Sequence, residues 1–178
     1  LPEIGTVAGK VADALDYAHR KNVIHRDIKP ANIVVTRDPD TRQLDDVVVL
    51  DFGIAKLVTD ATAMTAANMV VGTMAYLAPE VVAGKPAGPR SDQYALACTT
   101  YQLITGTTPF SGDTAPAMMM AHATAPVPRI SSVRPDLAAL DSVFDTALAK
   151  DPARRYADCR TFAVALNRAL QAAQGGAQ

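Results

Sequence analysis

The stretch His25-Arg26-Asp27-Ile28-Lys29-Pro30-Ala31-Asn32 decides the fold class of this 178-residue chain. Pro30 lacks a backbone N–H and restricts the residue before it to extended conformations, so the stretch is predicted to form an irregular loop. Short apolar runs flank it on both sides. The loop therefore presents a carboxylate, an amine and an amide close together, on Asp27, Lys29 and Asn32.

Two more short motifs follow in the same chain, Asp51-Phe52-Gly53 and Ala78-Pro79-Glu80. A tripeptide alone is common by chance, whereas three motifs in series at these separations are not. On these residues the chain resembles the C-terminal lobe of a protein kinase. It is most similar to bacterial eukaryotic-like Ser/Thr protein kinases, and two later stretches, Ile104-Thr-Gly-Thr-Thr-Pro-Phe110 and Lys150-Asp-Pro-Ala-Arg-Arg155-Tyr156, support this placement.

The resemblance implies a mostly α fold with a small β element, in a lobe without its N-terminal partner. Hydrophobic periodicity predicts an opening amphipathic helix over residues 4–18 and a buried central helix over residues 91–106. Further helices are predicted over residues 114–124, 137–149 and 158–171, and two short strands over residues 33–35 and 47–50. Residues 51–80 show no sustained period and are predicted to be a long irregular segment.

Composition favours one globular unit, because 49% of the residues are hydrophobic. Residues 1–170 are expected to form the lobe, and residues 171–178 a flexible tail or the start of a juxtamembrane linker. A net charge of -1 gives no basic field, so nucleic acid is not an expected partner. Cys98 and Cys159 have no metal-binding spacing and are expected to be buried. We expect a cytoplasmic protein, or one at the cytoplasmic face of the plasma membrane in its full-length form.

The kinase resemblance implies a role for each polar residue of the motifs. Asp27 matches the carboxylate that orients the acceptor hydroxyl, and Asn32 and Asp51 match the Mg2+ ligands. The implied cofactors are ATP and Mg2+, with Mn2+ as an alternative metal. Lys29 matches the lysine beside the transferred phosphate, and Thr73 matches the threonine that tethers the acceptor-binding loop to Asp27 and Lys29. Both point to Ser or Thr acceptors.

The kinase resemblance also implies roles for Val34, Arg26 and Thr65. Val34 corresponds to an apolar residue under the adenine ring, although an ordinary strand valine describes it equally well. Arg26 matches an arginine that pairs with a phosphorylated residue of the activation loop. Thr65, eight residues before Thr73, best matches the modified position, while Ala67 replaces a second acceptor common in relatives.

Other matches are expected to be structural. His25 and Phe52 are expected to stack, and Asp92 to hold the backbone of the catalytic loop. Glu80 and Arg155 are expected to form a buried ion pair. The remaining histidines, at positions 19 and 122, have no partner at a useful spacing, so they are expected to be surface or satisfied residues.

Two functions from different classes remain open. The first is a Ser/Thr protein kinase acting in signalling, with protein substrates, an N-terminal lobe in cis and, as a further partner, a second kinase copy. The second is a non-catalytic kinase-like binding module. The 178 residues contain no glycine-rich loop, and their two glutamates, Glu3 and Glu80, do not match the helix glutamate of the family. The chain alone is therefore expected to be inactive.

Overall fold

Helices dominate the part of the chain that the computed structural model describes, which is residues 1–52 and 71–175. The helices are α1 (Pro2–Arg20), α2 (Val71–Met74), α3 (Pro79–Val82), α4 (Pro89–Thr105), α5 (Ala115–Thr124), α6 (Asp141–Ala147) and α7 (Cys159–Gly175). Two strands, β1 (Ile33–Arg37) and β2 (Leu44–Val49), form a single hairpin, and short 3-10 turns cover Pro30–Asn32, Ile130–Ser132, Pro135–Leu140 and Pro152–Arg154. The mostly α fold with a small β element is confirmed.

Helix α1 has one apolar face, and this face is buried against α4 and α7. Pro2 stands in its first turn, where a missing N–H removes no helical hydrogen bond. Its buried residues recur three and four apart, which is the spacing that predicted the helix over residues 4–18. The observed helix extends two residues further at each end.

Helix α4 is the centre of the core. It is buried on nearly all sides, with Tyr94, Leu96 and Cys98 at most 1% exposed. Pro89 begins the helix, and Gly106 ends it in a left-handed conformation with φ of 84°. The predicted buried central helix over residues 91–106 is confirmed.

The hairpin pairs β1 and β2 antiparallel, with Ile33 opposite Val49 and Val34 opposite Val48. One further hydrogen bond at its open end joins the N–H of Leu50 to the carbonyl of Asn32 at 2.8 Å. The residues just before β1 and just after β2 are therefore held side by side. This pairing brings the loop of residues 25–32 next to Asp51.

The structure corrects several of the predicted boundaries, including those of the strands, which cover Ile33–Arg37 and Leu44–Val49 instead of residues 33–35 and 47–50. Residues 51–80 are not irregular throughout, since α2 forms within them and α3 begins at Pro79; residues 53–70 lie outside the described part. The single helix expected over residues 137–149 is a 3-10 turn followed by α6, because Leu137 has non-helical φ and ψ. Helix α7 begins at Cys159 and continues to Gly175, so the predicted tail begins as helix, in agreement with its alanine content.

Both cysteines, Cys98 and Cys159, are free and buried, as the sequence predicted. Burial raises the pKa of each thiol above its ordinary value. Among the described residues, no helix combines the length and the apolar content needed to cross a bilayer.

Candidate active site

The backbone of the catalytic loop, residues 25–32, is anchored by one carboxylate from α4. Asp92 is 1% exposed and accepts the N–H of His25 at 2.8 Å and that of Arg26 at 2.9 Å. These two bonds hold Arg26 in the left-handed region, with φ of 69°. A non-glycine residue adopts that conformation only where its surroundings favour it. The expected role of Asp92 agrees with this geometry.

His25 connects the catalytic loop to the end of β2. Its Nε2 lies 2.8 Å from the carbonyl oxygen of Leu50, and its Nδ1 accepts the N–H of Asp27 at 3.2 Å. This pair of contacts fits a neutral ring with its proton on Nε2. The ring packs on Phe52 with centroids 4.6 Å apart. The predicted stacking is present, and its effect is to fix Asp27 relative to Asp51.

Asp27, Lys29 and Asn32 form one connected polar group. Asn32 donates from Nδ2 to the backbone oxygen of Asp27 at 2.7 Å and to its carboxylate at 3.2 Å. The ammonium of Lys29 lies 3.4 Å from the same carboxylate oxygen. Both side chains of the ion pair are about one-fifth exposed, so the group faces solvent from a partly shielded position. The carboxylate of Asp27 is therefore oriented by both Asn32 and Lys29.

Thr73 joins this group from a different part of the chain. It lies in α2 and belongs to residues 72–77, which we call the acceptor segment. Lys29 Nζ donates to Thr73 Oγ1 at 3.3 Å. Two residues 44 positions apart are thus brought together as the sequence predicted. Lys29 bridges the carboxylate of Asp27 and the hydroxyl of Thr73.

Asp51 and Asn32 offer oxygen ligands at the open end of the hairpin. Asp51 is exposed and follows β2 with φ of 53°, which turns the chain away from the strand. The amide nitrogen of Asn32 donates a hydrogen bond to Asp27. The amide oxygen of Asn32 is therefore directed to the other side. Carboxylate and amide oxygens suit Mg2+, which takes few protein ligands and completes its shell with phosphate and water. The residues fit this metal.

Val34 lies on the outer face of the hairpin. It is 40% exposed, and its cross-strand neighbour Val48 is 43% exposed. The two valines form a small apolar surface beside the catalytic loop. Such a surface suits an aromatic ring, and its pairing and exposure equally fit an ordinary strand valine.

Arg26 is half-buried in the catalytic loop, next to Asp27. Thr65, its predicted regulatory counterpart, lies outside the described residues. The regulatory role of both residues stays a prediction.

The ion pair between Glu80 and Arg155 ties α3, which follows the acceptor segment, to the last third of the chain. It is bidentate, with distances of 2.9 Å and 2.7 Å, and the arginine side chain is fully buried. Burial opposes the charge of Glu80, but hydrogen bonds from Arg155 and Ser91 hold the pKa of this carboxyl below its ordinary value. Arg155 also lies over the ring of Tyr94, 4.7 Å from its centroid. The predicted pairing is present.

Sequence reasoning predicted surface or satisfied residues at histidine positions 19 and 122, and the structure shows a polar side-chain partner for each. His19 Nε2 lies 2.7 Å from Asp92, so it braces the carboxylate that anchors the catalytic loop. His122 Nδ1 lies 2.8 Å from the hydroxyl of Tyr94. Each ring therefore has one hydrogen-bonding side-chain partner, while Nε2 of His122 makes no hydrogen bond within the described residues. Their partners come from distant positions in the chain, and no local spacing reveals such contacts.

A helical lobe, a short hairpin and a polar loop braced from the central helix define the C-terminal lobe of a protein kinase. Family comparison agrees, because the protein kinase domain model matches residues 2–166. The chain belongs to the protein kinase family.

Its relatives include Ser/Thr protein kinases of mycobacteria. The chain is 44% identical over 171 residues to serine/threonine-protein kinase PknF of Mycobacterium tuberculosis, covering 95% of this chain and 35% of PknF. It is 45% identical over 167 residues to PknJ of Mycobacterium bovis, covering 92% of this chain and 28% of PknJ. The crystal structure of the PknI kinase domain from M. tuberculosis matches with a TM-score of 0.66 at 37% identity, over 94% of this chain and 54% of that one. The chain thus spans about a third of the length of the curated relatives.

Proposed function

We propose that this chain is the catalytic C-terminal lobe of a Ser/Thr protein kinase, which transfers the γ-phosphoryl group of ATP to Ser or Thr hydroxyls of proteins. The observation that carries the proposal is the bridge formed by Lys29, which contacts the carboxylate of Asp27 at 3.4 Å and the hydroxyl of Thr73 at 3.3 Å. This bridge places the catalytic loop against the acceptor segment. A scaffold without chemistry has no need for such a contact.

In this reaction the carboxylate of Asp27 orients the acceptor hydroxyl and takes its proton. The hydroxyl oxygen forms a bond to the γ-phosphorus, while the bond from that phosphorus to the β–γ bridging oxygen breaks and leaves ADP. The ammonium of Lys29 lies where it offsets the negative charge on the transferred group. Asn32 keeps Asp27 in place through its two hydrogen bonds.

Asn32 and Asp51 would hold Mg2+, or Mn2+ in its place, through their side-chain oxygens. When bound, the metal offsets charge on the phosphates and fixes their position. Val34 would lie under the adenine ring. Arg26 would receive a phosphorylated Thr65, which would make activity depend on modification of the activation loop.

We also propose the partners and the cellular location of the full-length protein. Clamping of the nucleotide requires an N-terminal lobe in cis, because the family's glycine-rich loop and strand lysine are absent from these 178 residues. Protein substrates would bind along the acceptor segment, and a second kinase copy is a further partner. We place the full-length protein in the cytoplasm or at the cytoplasmic face of the plasma membrane.

The test replaces Asp27 by Asn in the full-length gene product and measures phosphoryl transfer to a protein acceptor. Turnover is expected to fall by roughly 10^2 to 10^4, with the melting temperature little changed, because the carboxylate acts on the proton and Asn cannot accept it. Asp145→Asn, an exposed carboxylate on α6, is the matched control and should leave turnover unchanged. A wild-type protein without transfer, or an Asp27→Asn variant with normal turnover, would favour the binding module instead.

A further inference from the structure

Three side chains of different chemistry come together where α1 packs on the start of α7. They are Asp16 and His19 of α1 and Cys159, the first residue of α7. A carboxylate oxygen, a ring nitrogen and the thiol sulfur all lie within 4.8 Å of one another. Cys159 lies 143 positions after Asp16, so no local spacing in the sequence reveals this group. We call these three residues the α1–α7 cluster.

The α1–α7 cluster is shielded from water. The side chains of Asp16 and His19 are 12% and 8% exposed, and Cys159 is 0% exposed. Burial penalises a charge that has no partner. A carboxylate at this depth therefore favours a positive charge close to it.

The carboxylate of Asp16 has room for a further partner. Its Oδ1 accepts the N–H of Cys159 at 3.1 Å, and its Oδ2 accepts the N–H of Arg160 at 2.9 Å. These two bonds cap the start of α7 and fix the carboxylate in position. Each carboxylate oxygen can accept two bonds, so both oxygens retain a lone pair.

The ring of His19 is oriented by Asp92. Its Nε2 lies 2.7 Å from Oδ2 of Asp92, an oxygen that also accepts the N–H of His25, so Nε2 is the donor. Nδ1 of the neutral ring then carries a lone pair on the side of Asp16. Oδ1 of Asp16 lies 3.6 Å from this nitrogen, which is too far for a hydrogen bond. Two lone pairs at this separation leave a position for a cation between them.

The mixture of nitrogen, oxygen and sulfur ligands indicates which cation this is. Zn2+ binds imidazole, carboxylate and thiolate tetrahedrally at about 2.0 to 2.3 Å, which places its ligands about 3.3 to 3.8 Å apart. The distance of 3.6 Å between Asp16 and His19 lies in this range. Because all three atoms lie within 4.8 Å of one another, the set needs to close by about 1 Å at most. Mg2+ prefers oxygen ligands and does not suit a thiol.

Asp92 supplies the second feature of such a site. A histidine that binds a metal through one ring nitrogen usually donates from the other nitrogen to a carboxylate, which orients the ring. The bond from His19 Nε2 to Asp92 has this geometry. The same carboxylate accepts the N–H groups of His25 and Arg26, so it connects the cluster to the catalytic loop.

We propose that Asp16, His19 and Cys159 form a Zn2+ site, with water in the fourth position, that fastens α1 to α7. Through His19 the bound metal fixes Asp92 and so steadies the backbone of the catalytic loop. The site is separate from Asn32 and Asp51, and it does not depend on the proposed kinase function.

Binding of Zn2+ displaces one proton. Burial, followed by the charge of Asp16, raises the pKa of the Cys159 thiol, so the thiol is protonated in the metal-free protein. When the metal binds, the S–H bond breaks, its electron pair forms the bond from sulfur to Zn2+, and the proton passes to solvent.

The first test adds Co2+, a spectroscopic substitute for Zn2+, to the metal-free full-length gene product with Mg2+ in excess. Thiolate bound to Co2+ gives a charge-transfer band in the near ultraviolet, and an added equivalent of Zn2+ should abolish it. In Cys159→Ala we expect loss of the band that corresponds to one Co2+ per chain, and Zn2+ affinity at least about tenfold lower. Cys98→Ala, at the other buried cysteine, is the matched control and should keep both.

A second variant covers the case in which Cys159→Ala does not fold. Asp16→Asn keeps the size of the side chain and one oxygen for the cap of α7, but it removes the anionic ligand. It should also lower Zn2+ affinity at least about tenfold. A wild-type protein without the charge-transfer band would overturn the proposal, and so would equal Zn2+ affinity in the wild type and both cluster variants.

Hydrogen exchange tests the connection to the catalytic loop. Zn2+ should slow exchange of the His25 and Arg26 amides about fivefold in the wild type and in Cys98→Ala, because the metal holds Asp92 through His19. It should have no such effect in Cys159→Ala. Exchange at these two amides that does not respond to Zn2+ would refute the effect of the site on the catalytic loop.

Discussion

Arg155 shows how strongly one buried side chain can stabilise this lobe. Its guanidinium makes two bonds to Glu80 and donates to the carbonyl oxygens of Ala149, Arg90 and Lys150. Replacement by alanine leaves the carboxylate of Glu80 without its countercharge in a poorly solvated place. We expect Arg155→Ala to lower the free energy of unfolding by about 3 to 5 kcal/mol, measured by denaturant titration.

The surface pair between Arg160 and Asp13 provides the control for this prediction. Its two side chains are 70% and 59% exposed, and their atoms lie 2.7 Å apart. Solvent screens such a pair, so Arg160→Ala should shift the unfolding midpoint little. A loss of activity in Arg155→Ala without any change in stability would show that the ion pair acts on catalysis instead.

His122 makes stability depend on pH in a defined window. Burial lowers the pKa of His122 to about 4, against 6.5 for the ordinary side chain. The unfolded chain therefore binds the proton more tightly, and stability is lost as pH falls from about 6.5 towards 4. Tyr94 and Lys150, which face His122, do not titrate in this window, since the pKa of Lys150 is about 8 and that of Tyr94 is raised.

The measurement compares unfolding free energies at pH 7 and pH 5 in the wild type and in His122→Gln. We expect the wild type to lose on the order of 1 to 2 kcal/mol more than the variant over this interval. Equal losses would mean that His122 binds its proton as readily in the folded state as in the unfolded chain.

Individual residues differ in how well their side-chain contacts can be predicted from the sequence. Asp27, Lys29 and Asn32 could be predicted because one short loop carries all three, and the structure brings them together with Thr73. The contacts of His19 with Asp92 and of Tyr94 with His122 could not be predicted. They join residues 73 and 28 positions apart, and only the packing of the helices determines them.

At the scale of elements, α1 contains two glycines, Gly5 and Gly9, whose surroundings differ. An added Cβ at Gly5 would lie 2.1 Å from Oδ1 of Asn167, whose amide donates to the carbonyl of Gly5 at 3.1 Å. An added Cβ at Gly9 would meet no described atom within 4 Å apart from the adjoining backbone of its own helix. Gly5→Ala should therefore destabilise the packing of α1 on α7 by about 1 kcal/mol, because Asn167 must move.

Gly9→Ala is the matched variant in the same helix. It should raise the unfolding free energy by roughly 0.5 to 1 kcal/mol, since alanine loses less backbone entropy than glycine in a helix. Thermal and denaturant unfolding of both variants measure the difference. Equal stabilisation by the two substitutions would show that α1 and α7 have room between them at Gly5.

Elements whose apolar periodicity is sustained over many residues were predicted well, and short elements were not. Helices α1 and α4 are visible in the sequence because they bury a continuous face or nearly the whole surface. Helices α2 and α3 have four residues each, which is too short for any period to show. The 3-10 turn before α6 depends on the backbone at Leu137, and a hydrophobic pattern does not report such a local deviation.

At the scale of the whole molecule, these 178 residues contain the loop of residues 25–32 but no glycine-rich sequence motif of the kinase family. We expect the 178-residue chain by itself to transfer no measurable phosphoryl group from ATP, while the full-length gene product is active. A radiolabelled transfer assay on both, with Mg2+ present, makes the comparison. The intact mass of the native polypeptide, set against 18.7 kDa for these residues, shows what else it contains. Comparable turnover by the isolated chain would contradict the need for a second lobe.

The β1–β2 hairpin allows the chain to become longer without a change in the geometry of the site. Asn32 and Asp51 are held at its open end, whereas its exposed turn around Asp38 and Arg42 lies at the opposite end. Residues added to this turn lengthen the chain between Asn32 and Asp51 without moving either one, because the entropy of closing a loop grows slowly with its length. The turn is therefore the position where a protein engineer can insert an epitope or a fluorescent reporter, and where evolution meets the least resistance to insertions.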